Sequence, residues 1–290
     1  MKTLSESHFT IIGTGLMGTS LAMALRGKVA SLTGIDILPS TLNSASLYFD
    51  DVTSDLNTLS DADVVVLAAP VRAILALVPQ IGRFLRPGAL MLDLGSVKTA
   101  ICRAMDALPE HILAIGGHPM CGKELSGPDA AEPTLYQNCT FVLCPTARTS
   151  PEALDFATQM VHAIGANPLV LAPERHDLAV AAASHLPYMV SAGLVATLMR
   201  LFKETGDSAL WQLTASGFRD TSRLAASDVT MMGDTVTTNR AAVVDVLDTY
   251  IEHLSLLRNQ LADAEDSDLR AALESIRQTR HNWPILRSGG

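Results

Sequence analysis

Short apolar runs alternate with helix-like stretches through the first half of the chain. FTIIG (9–13), LTGID (32–36), DVVVLAA (63–69), ALMLDLG (89–95), ILAIGG (112–117) and TFVLCP (140–145) read as strands. Most of these runs are continuously apolar rather than alternating, which implies burial on both faces of a sheet. Residues 18–25 read as a helix. Strands separated by helical stretches imply right-handed βαβ units and a doubly wound sheet. After NPLVLAP (167–173) the strand signal stops. Ala- and Leu-rich stretches follow, then 243–261 with apolar residues at helical spacing, the polar stretch ADAEDSD (262–268) and a further helix, LRAALESIRQTR. The pattern predicts a nucleotide-type α/β domain over 1–173 and an all-helical domain over 174–290.

Composition narrows the function classes. Hydrophobic residues make up 48% of the 290 and charged residues 18%, enough to bury a large core and to exclude general disorder. Asp plus Glu number 30 against 21 Lys plus Arg, a net charge of −9 with no basic block. No nucleic-acid or anionic-membrane partner is therefore expected. The four cysteines form no CxxC pair and no His/Cys cluster has zinc-ligand spacing, so no metal is expected. Four free thiols and the absence of a signal peptide suit a cytoplasmic protein. The stretch 178–199 is long and almost uncharged, but His185 and Pro187 interrupt it. A lipid-facing span would have to accommodate both, so a buried helix of a soluble core is the expectation.

The first site is a glycine-rich turn, Gly13-Thr-Gly15-Leu16-Met17-Gly18, after the first strand and at the start of a helix. Gly13 permits the tight turn, Gly15 lets the backbone approach a pyrophosphate, and Gly18 lets helix and sheet pack closely. The helix N-terminus then receives the phosphates. Asp36 closes the second strand, where a carboxylate accepts hydrogen bonds from ribose hydroxyls and repels a 2′-phosphate. No Arg follows immediately, which favours NAD over NADP. The strand-end residues Ala69 and Pro70 should border the cofactor.

Four further segments carry reactive groups: Asp93-Leu-Gly-Ser96-Val-Lys98, Gly117-His118-Pro-Met-Cys121-Gly-Lys123-Glu124, Ser184-His185-Leu-Pro-Tyr188, and Ser216-Gly-Phe-Arg219-Asp220-Thr-Ser-Arg223. GSVK, GHPMCGKE, SHLP and GFRDTSR in this order resemble the prephenate/arogenate dehydrogenase family of tyrosine biosynthesis, over nearly the whole chain. The resemblance implies a Rossmann-type domain followed by a helical dimerisation domain, and an NAD-dependent oxidative decarboxylation of prephenate to 4-hydroxyphenylpyruvate. It implies a homodimer as well, and the apolar helical half suggests the same, since its stretches need a twin to cover them.

That chemistry assigns tasks. The ring hydroxyl must lose or share its proton as a carbonyl develops, and an imidazole near neutrality suits this. By resemblance His118 is the catalytic histidine, and Ser96 matches the serine that bonds both the histidine and the substrate hydroxyl. Ser96 also reads as a helix N-cap. A planar guanidinium grips a carboxylate, which assigns Arg219 to the substrate side chain, with a surface pair to Asp220 as the plain alternative. Arg223 reads as structural, and Lys98 as a phosphate or carboxylate ligand or a solvated lysine. Lys123 and Glu124 flank the loop and are candidates for substrate choice; His185 is a further substrate-side candidate. The sequence departs from the HLPH of many prephenate-specific members: Tyr188 stands in the last place. Tyr donates a hydrogen bond but carries no cation, so arogenate, or both acids, is the alternative substrate. A 4-amino-4-deoxyprephenate dehydrogenase, a β-hydroxyacid dehydrogenase, a pyrroline-carboxylate reductase and a non-catalytic dinucleotide sensor are the remaining readings.

Overall fold

The computed structural model describes residues 1–123, 125–262 and 266–283, so Glu124 lies outside the described residues. Eight strands form one sheet: β1 (His8–Ile12), β2 (Ser31–Ile35), β3 (Asp51–Thr53), β4 (Val64–Leu67), β5 (Leu90–Asp93), β6 (Leu113–Pro119), β7 (Thr140–Pro145) and β8 (Asn167–Val170). Between and after them run α1 (Leu16–Leu25), α2 (Pro39–Ala45), α3 (Val71–Ile81), α4 (Thr99–Asp106), α5 (Pro151–Ala163), α6 (Pro173–Val180), α7 (Leu186–Thr205), α8 (Ala209–Gln212), α9 (Ser216–Ser222), α10 (Val229–Thr238), α11 (Arg240–Ala262) and α12 (Ser267–His281). The N-terminal half is a Rossmann-type sheet and the chain beyond β8 is helical.

The strand order is β3-β2-β1-β4-β5-β6-β7-β8. Every pair is parallel except β6 with β7. The exception has a local cause. A parallel return needs a crossover, usually a helix, and the only helical piece described between β6 and β7 is the 3₁₀ turn Pro128–Ala130. The continuous apolar strands do fill both faces. Val64 and Val66 join a core with Leu21 and Leu25 of α1 and Phe156 of α5. Val65 and Leu67 point the other way, into a core with Ile74 and Val78 of α3 and Ile101 of α4. Each such side chain contributes roughly 1.5–3 kcal/mol on burial. The three-residue edge strand β3 is too short and too polar (DVT) for its apolar pattern to be seen.

The chain divides into two compact units, Met1–Arg240 and Ala241–Gly290. Within the first, α6 and α10 lie against the sheet half. Asp177 of α6 accepts the backbone N–H groups of Lys98 and Thr99 at 2.7 and 2.9 Å. Arg72 of α3 pairs with Asp234 of α10 at 2.7 Å.

The helix expected to be buried is not buried by its own chain. Pro173–Thr205 is continuous, long and apolar enough to cross a membrane, yet only 22% of its most apolar stretch is buried. Ser191 is the only buried residue of α7, while Met199, Leu201 and Phe202 are exposed. Between α6 and α7 the backbone makes a π-helical turn, Ala181–His185. Pro187 has no N–H to continue the ordinary ladder, and the wider turn accommodates it.

Candidate active site

The carboxyl edge of the sheet gathers most of the predicted residues. Strand order reverses between β1 and β4, the place where open α/β sheets bind ligands. Gly13 follows β1 with φ of +100°, and a Cβ there would lie 2.4 Å from the Ala68 carbonyl oxygen after β4. A Cβ on Gly18 would lie 1.9 Å from the Gly13 oxygen. Both glycines are thus forced by packing. Gly15 has open space where its Cβ would be, over the start of α1. That open approach to free helix N–H groups is what a pyrophosphate requires, so the turn fits a dinucleotide. Asp36 lies beside it: its carboxylate accepts from Thr14 N at 2.9 Å and from Leu38 N at 3.0 Å.

A cavity of ≈ 440 Å³ is lined by Gly15, Leu16, Met17, Ala69, Pro70 and, on its far wall, Ser96 and His118. A second cavity of ≈ 320 Å³ adjoins it and shares Ser96, His118, Cys121 and Thr235. Its own walls include His185 and Ser184 of the π turn and Met232 of α10, while Met231 is shared. Both volumes suit small-molecule sites. A third cavity, lined by Lys2, His8 and Arg86, sits at the amino edge of the strands, away from the switch point.

His118 stands near the end of β6 and heads a buried relay. Its Nδ1 lies 2.8 Å from Nε2 of His176, and Nδ1 of His176 lies 2.8 Å from Oδ1 of Asp177. A carboxylate only accepts, so His176 donates to Asp177 from Nδ1 and its Nε2 is the nitrogen that faces His118. His118 then donates from Nδ1, which leaves its Nε2 as the accepting nitrogen. Burial first, and then His176, Lys98 and His185, hold the His118 imidazole well below its ordinary range; Asp177 opposes them. Burial works to raise Asp177, but bonds from His176, Lys98 N and Thr99 outweigh it and hold the carboxyl low. The relay thus keeps a neutral imidazole in front of a fixed negative charge.

Lys98 is fully buried, and its ammonium is held by the Asp93 carboxylate and by the Gly117 carbonyl at 2.6 Å. It is neither solvated nor available to a phosphate. The pair ties the end of β5 to the end of β6 and so supports both Ser96 and His118. Ser96 does not cap α4; the N-cap is Lys98, and Asp177 takes the free N–H groups there. The Ser96 hydroxyl instead bonds Thr235 of α10 at 2.9 Å.

The remaining predicted residues are spread more widely. His185 is buried in the second cavity, its Nδ1 3.3 Å from Asn239, and burial pushes its pKa down to about 4. Lys123 lines the first cavity with its ammonium on Glu132 at 2.8 Å. Tyr188 lines neither cavity. Arg219 also lies outside both, exposed and paired with Asp220 at 3.0 Å. Sequence reading passed over His176, Asp177 and Thr235. The signal for the first two was a polar Glu-Arg-His-Asp cluster opening an otherwise apolar helix.

Comparison with known proteins agrees with this geometry. Residues 21–170 match the family model described as prephenate dehydrogenase, nucleotide-binding domain, and 172–275 match its dimerization domain. The chain is 31% identical to the cyclohexadienyl dehydrogenase of Zymomonas mobilis over 90% of each chain. It is 33% identical to the crystal structure of Synechocystis arogenate dehydrogenase, with a TM-score of 0.85, covering 95% of this chain and 99% of that one. Prephenate dehydrogenase from A. aeolicus, solved with hydroxyphenyl propionate and NAD+, superposes with a TM-score of 0.89 at 28% identity, over 97% and 99% of the two chains. A glycine turn at the switch point, a neutral imidazole backed by a carboxylate, and two matched domains in order lead to one conclusion: the chain belongs to the prephenate dehydrogenase family.

Proposed function

We propose that this NAD-dependent oxidoreductase oxidatively decarboxylates a cyclohexadienyl acid, with prephenate the leading substrate and 4-hydroxyphenylpyruvate its product. The observation that carries the reading is His118, neutral and shared by two adjoining cavities, one walled by the glycine turn and the other by helical residues. The first cavity and the turn would hold the dinucleotide: Gly15, Leu16 and Met17 under the pyrophosphate, Asp36 at the ribose, Ala69 and Pro70 along the wall. NAD, when bound, supplies an acceptor for the hydride that leaves the hydroxyl-bearing ring carbon.

The protein's own residues manage the proton and the pose. His118 accepts the hydroxyl proton at Nε2 as the carbonyl develops, and the positive charge is shared through His176 toward Asp177. Ser96, oriented by Thr235, bonds the same oxygen. The ring carboxylate leaves as carbon dioxide, and aromatisation makes the step irreversible. A positioned base of this kind contributes roughly 10²–10⁴-fold.

Arogenate as a second substrate is favoured by the second cavity, where no Lys, Arg, Asp or Glu occurs among the described residues lining it. An uncharged wall tolerates a zwitterionic amino-acid tail better than an uncompensated keto acid. A keto-acid tail needs a cation from beyond that wall, and Arg219 is the one proposed for its carboxylate. It would exchange Asp220 for substrate, and such exposed pairs hold by only about 0–1 kcal/mol. Tyr188, His185 and Lys123 are the proposed neighbours of the tail. The division of labour falls near Pro173, where the strand β8 gives way to α6. The exposed apolar helices fit a symmetric homodimer. NAD reduction with prephenate and arogenate side by side tests the reading: turnover of either supports it, and turnover of neither rejects it.

A further inference from the structure

Two of the four cysteines meet across the antiparallel seam of the sheet, at the edge that carries the site. The β6–β7 ladder pairs Pro119 with Phe141, and Met120 N donates to the Thr140 oxygen at 2.8 Å. Continuing the register by one residue sets Cys121 opposite Cys139. The Cys139 N–H and carbonyl are engaged elsewhere, by Tyr136 and Asn167. This is the non-hydrogen-bonded position of the ladder, where Cα atoms approach to about 4.5 Å. A disulfide spans Cα separations of about 4.4–6.8 Å.

The side chains agree with the backbone. Each cysteine is the first influence on the other: Cys139 is held below the ordinary thiol range and Cys121, with burial adding to it, above it. Both are half-buried. Cys121 lines both cavities beside His118. Tyr136 packs in the same cluster, and its hydroxyl donates to the Met17 carbonyl of the cofactor turn at 2.6 Å. The other two cysteines differ. Cys102 and Cys144 are buried together, and burial pushes the Cys144 thiol up to about 12 and Cys102 higher still. The thiolate is the reactive form, so these two are inert.

We propose that Cys121 and Cys139 are a reversible dithiol–disulfide couple at the rim of the site, oxidised by low-molecular-weight disulfides, and that closing the bond impairs dinucleotide binding and turnover. The Cys139 thiolate attacks glutathione disulfide; its S–S bond breaks and one glutathione thiolate leaves. Cys121, releasing its proton to solvent, then attacks the Cys139 sulfur, and the second glutathione leaves as the mixed bond breaks. The protein gives up two electrons and two protons, and glutathione disulfide becomes two thiols. The new bond draws the Cys121 sulfur to the seam and fixes the adjoining Gly122 and Lys123, which line the same cavity.

The link to turnover rests on the proposed function; the thiol chemistry does not. The full-length enzyme is equilibrated in glutathione redox buffers, alkylated and mapped by peptide mass, and NAD affinity and turnover are measured on the same samples. The expected result is a cross-linked Cys121–Cys139 peptide, with Cys102 and Cys144 alkylated only after unfolding. Turnover should fall by about an order of magnitude and return with dithiothreitol. Cys139→Ser should keep the basal rate of the reduced enzyme and lose the oxidative inhibition. Glutathione adducts without the cross-link, or unreacted thiols, overturn the couple. A cross-link that leaves affinity and rate unchanged, or inhibition that persists in Cys139→Ser, overturns its link to the site. Failure of the reduced enzyme to bind NAD or turn over either acid would count against the catalytic reading instead, and the peptide map would still decide the couple.

Discussion

His118 shows how one side chain acquires a function from its surroundings. Imidazole alone titrates near pH 6.5; here burial and three cationic or potentially cationic neighbours depress it, so the base is already free at neutral pH. The sign follows directly. Protonation removes the base, and a depressed pKa moves that loss to lower pH. The kcat should stay flat from about pH 8 down through the ordinary imidazole range of roughly 6.5 and fall only on further acidification. A kcat that halves near the ordinary value would contradict the burial argument. Replacing His118 with Asn should cut kcat by roughly 10²–10⁴-fold while NAD affinity, measured by calorimetry, stays close to that of the parent. Arg219 is the opposite case, a residue type chosen for its chemistry and found in a solvent-exposed pair. Arg219→Ala is expected to raise the substrate KM about tenfold, ~1.4 kcal/mol, with the KM for NAD unmoved; an unaltered substrate KM would leave it a surface ion pair.

At the scale of elements, the site depends on α6 meeting the start of α4. Asp177 does two jobs there: it closes the free N–H groups at the α4 terminus and sets the His176 tautomer. Asp177→Asn should lower kcat by roughly 10²-fold, because an amide no longer accepts at both oxygens and the relay loses its fixed orientation. The substrate KM should change little; equal losses in kcat/KM and in thermal stability, with an unaltered pH profile, would mark a structural role only. Much of the element pattern was legible beforehand. The central strands were visible as apolar runs because parallel strands buried on both faces, such as Val64–Leu67, leave little polar interruption. The short edge strand β3 was not, since three half-exposed residues carry no period. Nor was the reversal of β7 visible, because direction depends on what connects two strands rather than on the strands themselves. The glycine turn was legible in full, since its residues act through backbone and space within one βα unit.

Each of the two compact units leaves large apolar side chains exposed on its helices. Met199 and Phe202 of α7 are exposed in the first compact unit, as are Ile251 and Leu256 of α11 and Ile276 of α12 in the second. Exposed apolar helix residues of this kind fit the matched dimerization domain. Light scattering at micromolar concentration should give the mass of two chains, and a single-chain mass would reject the homodimer. By itself the sequence determined the αβ order, the switch from strands to helices after residue 173, the glycine turn and the reactive segments, because periodicity, turn chemistry and local motifs are properties of neighbours along the chain. Only the tertiary structure decided that His176 and Asp177 back His118, that Lys98 is buried on Asp93, that Thr235 meets Ser96, and that Cys121 faces Cys139. Those pairs lie between 5 and 139 positions apart, and their contact follows from how strands and helices pack, which no local pattern encodes.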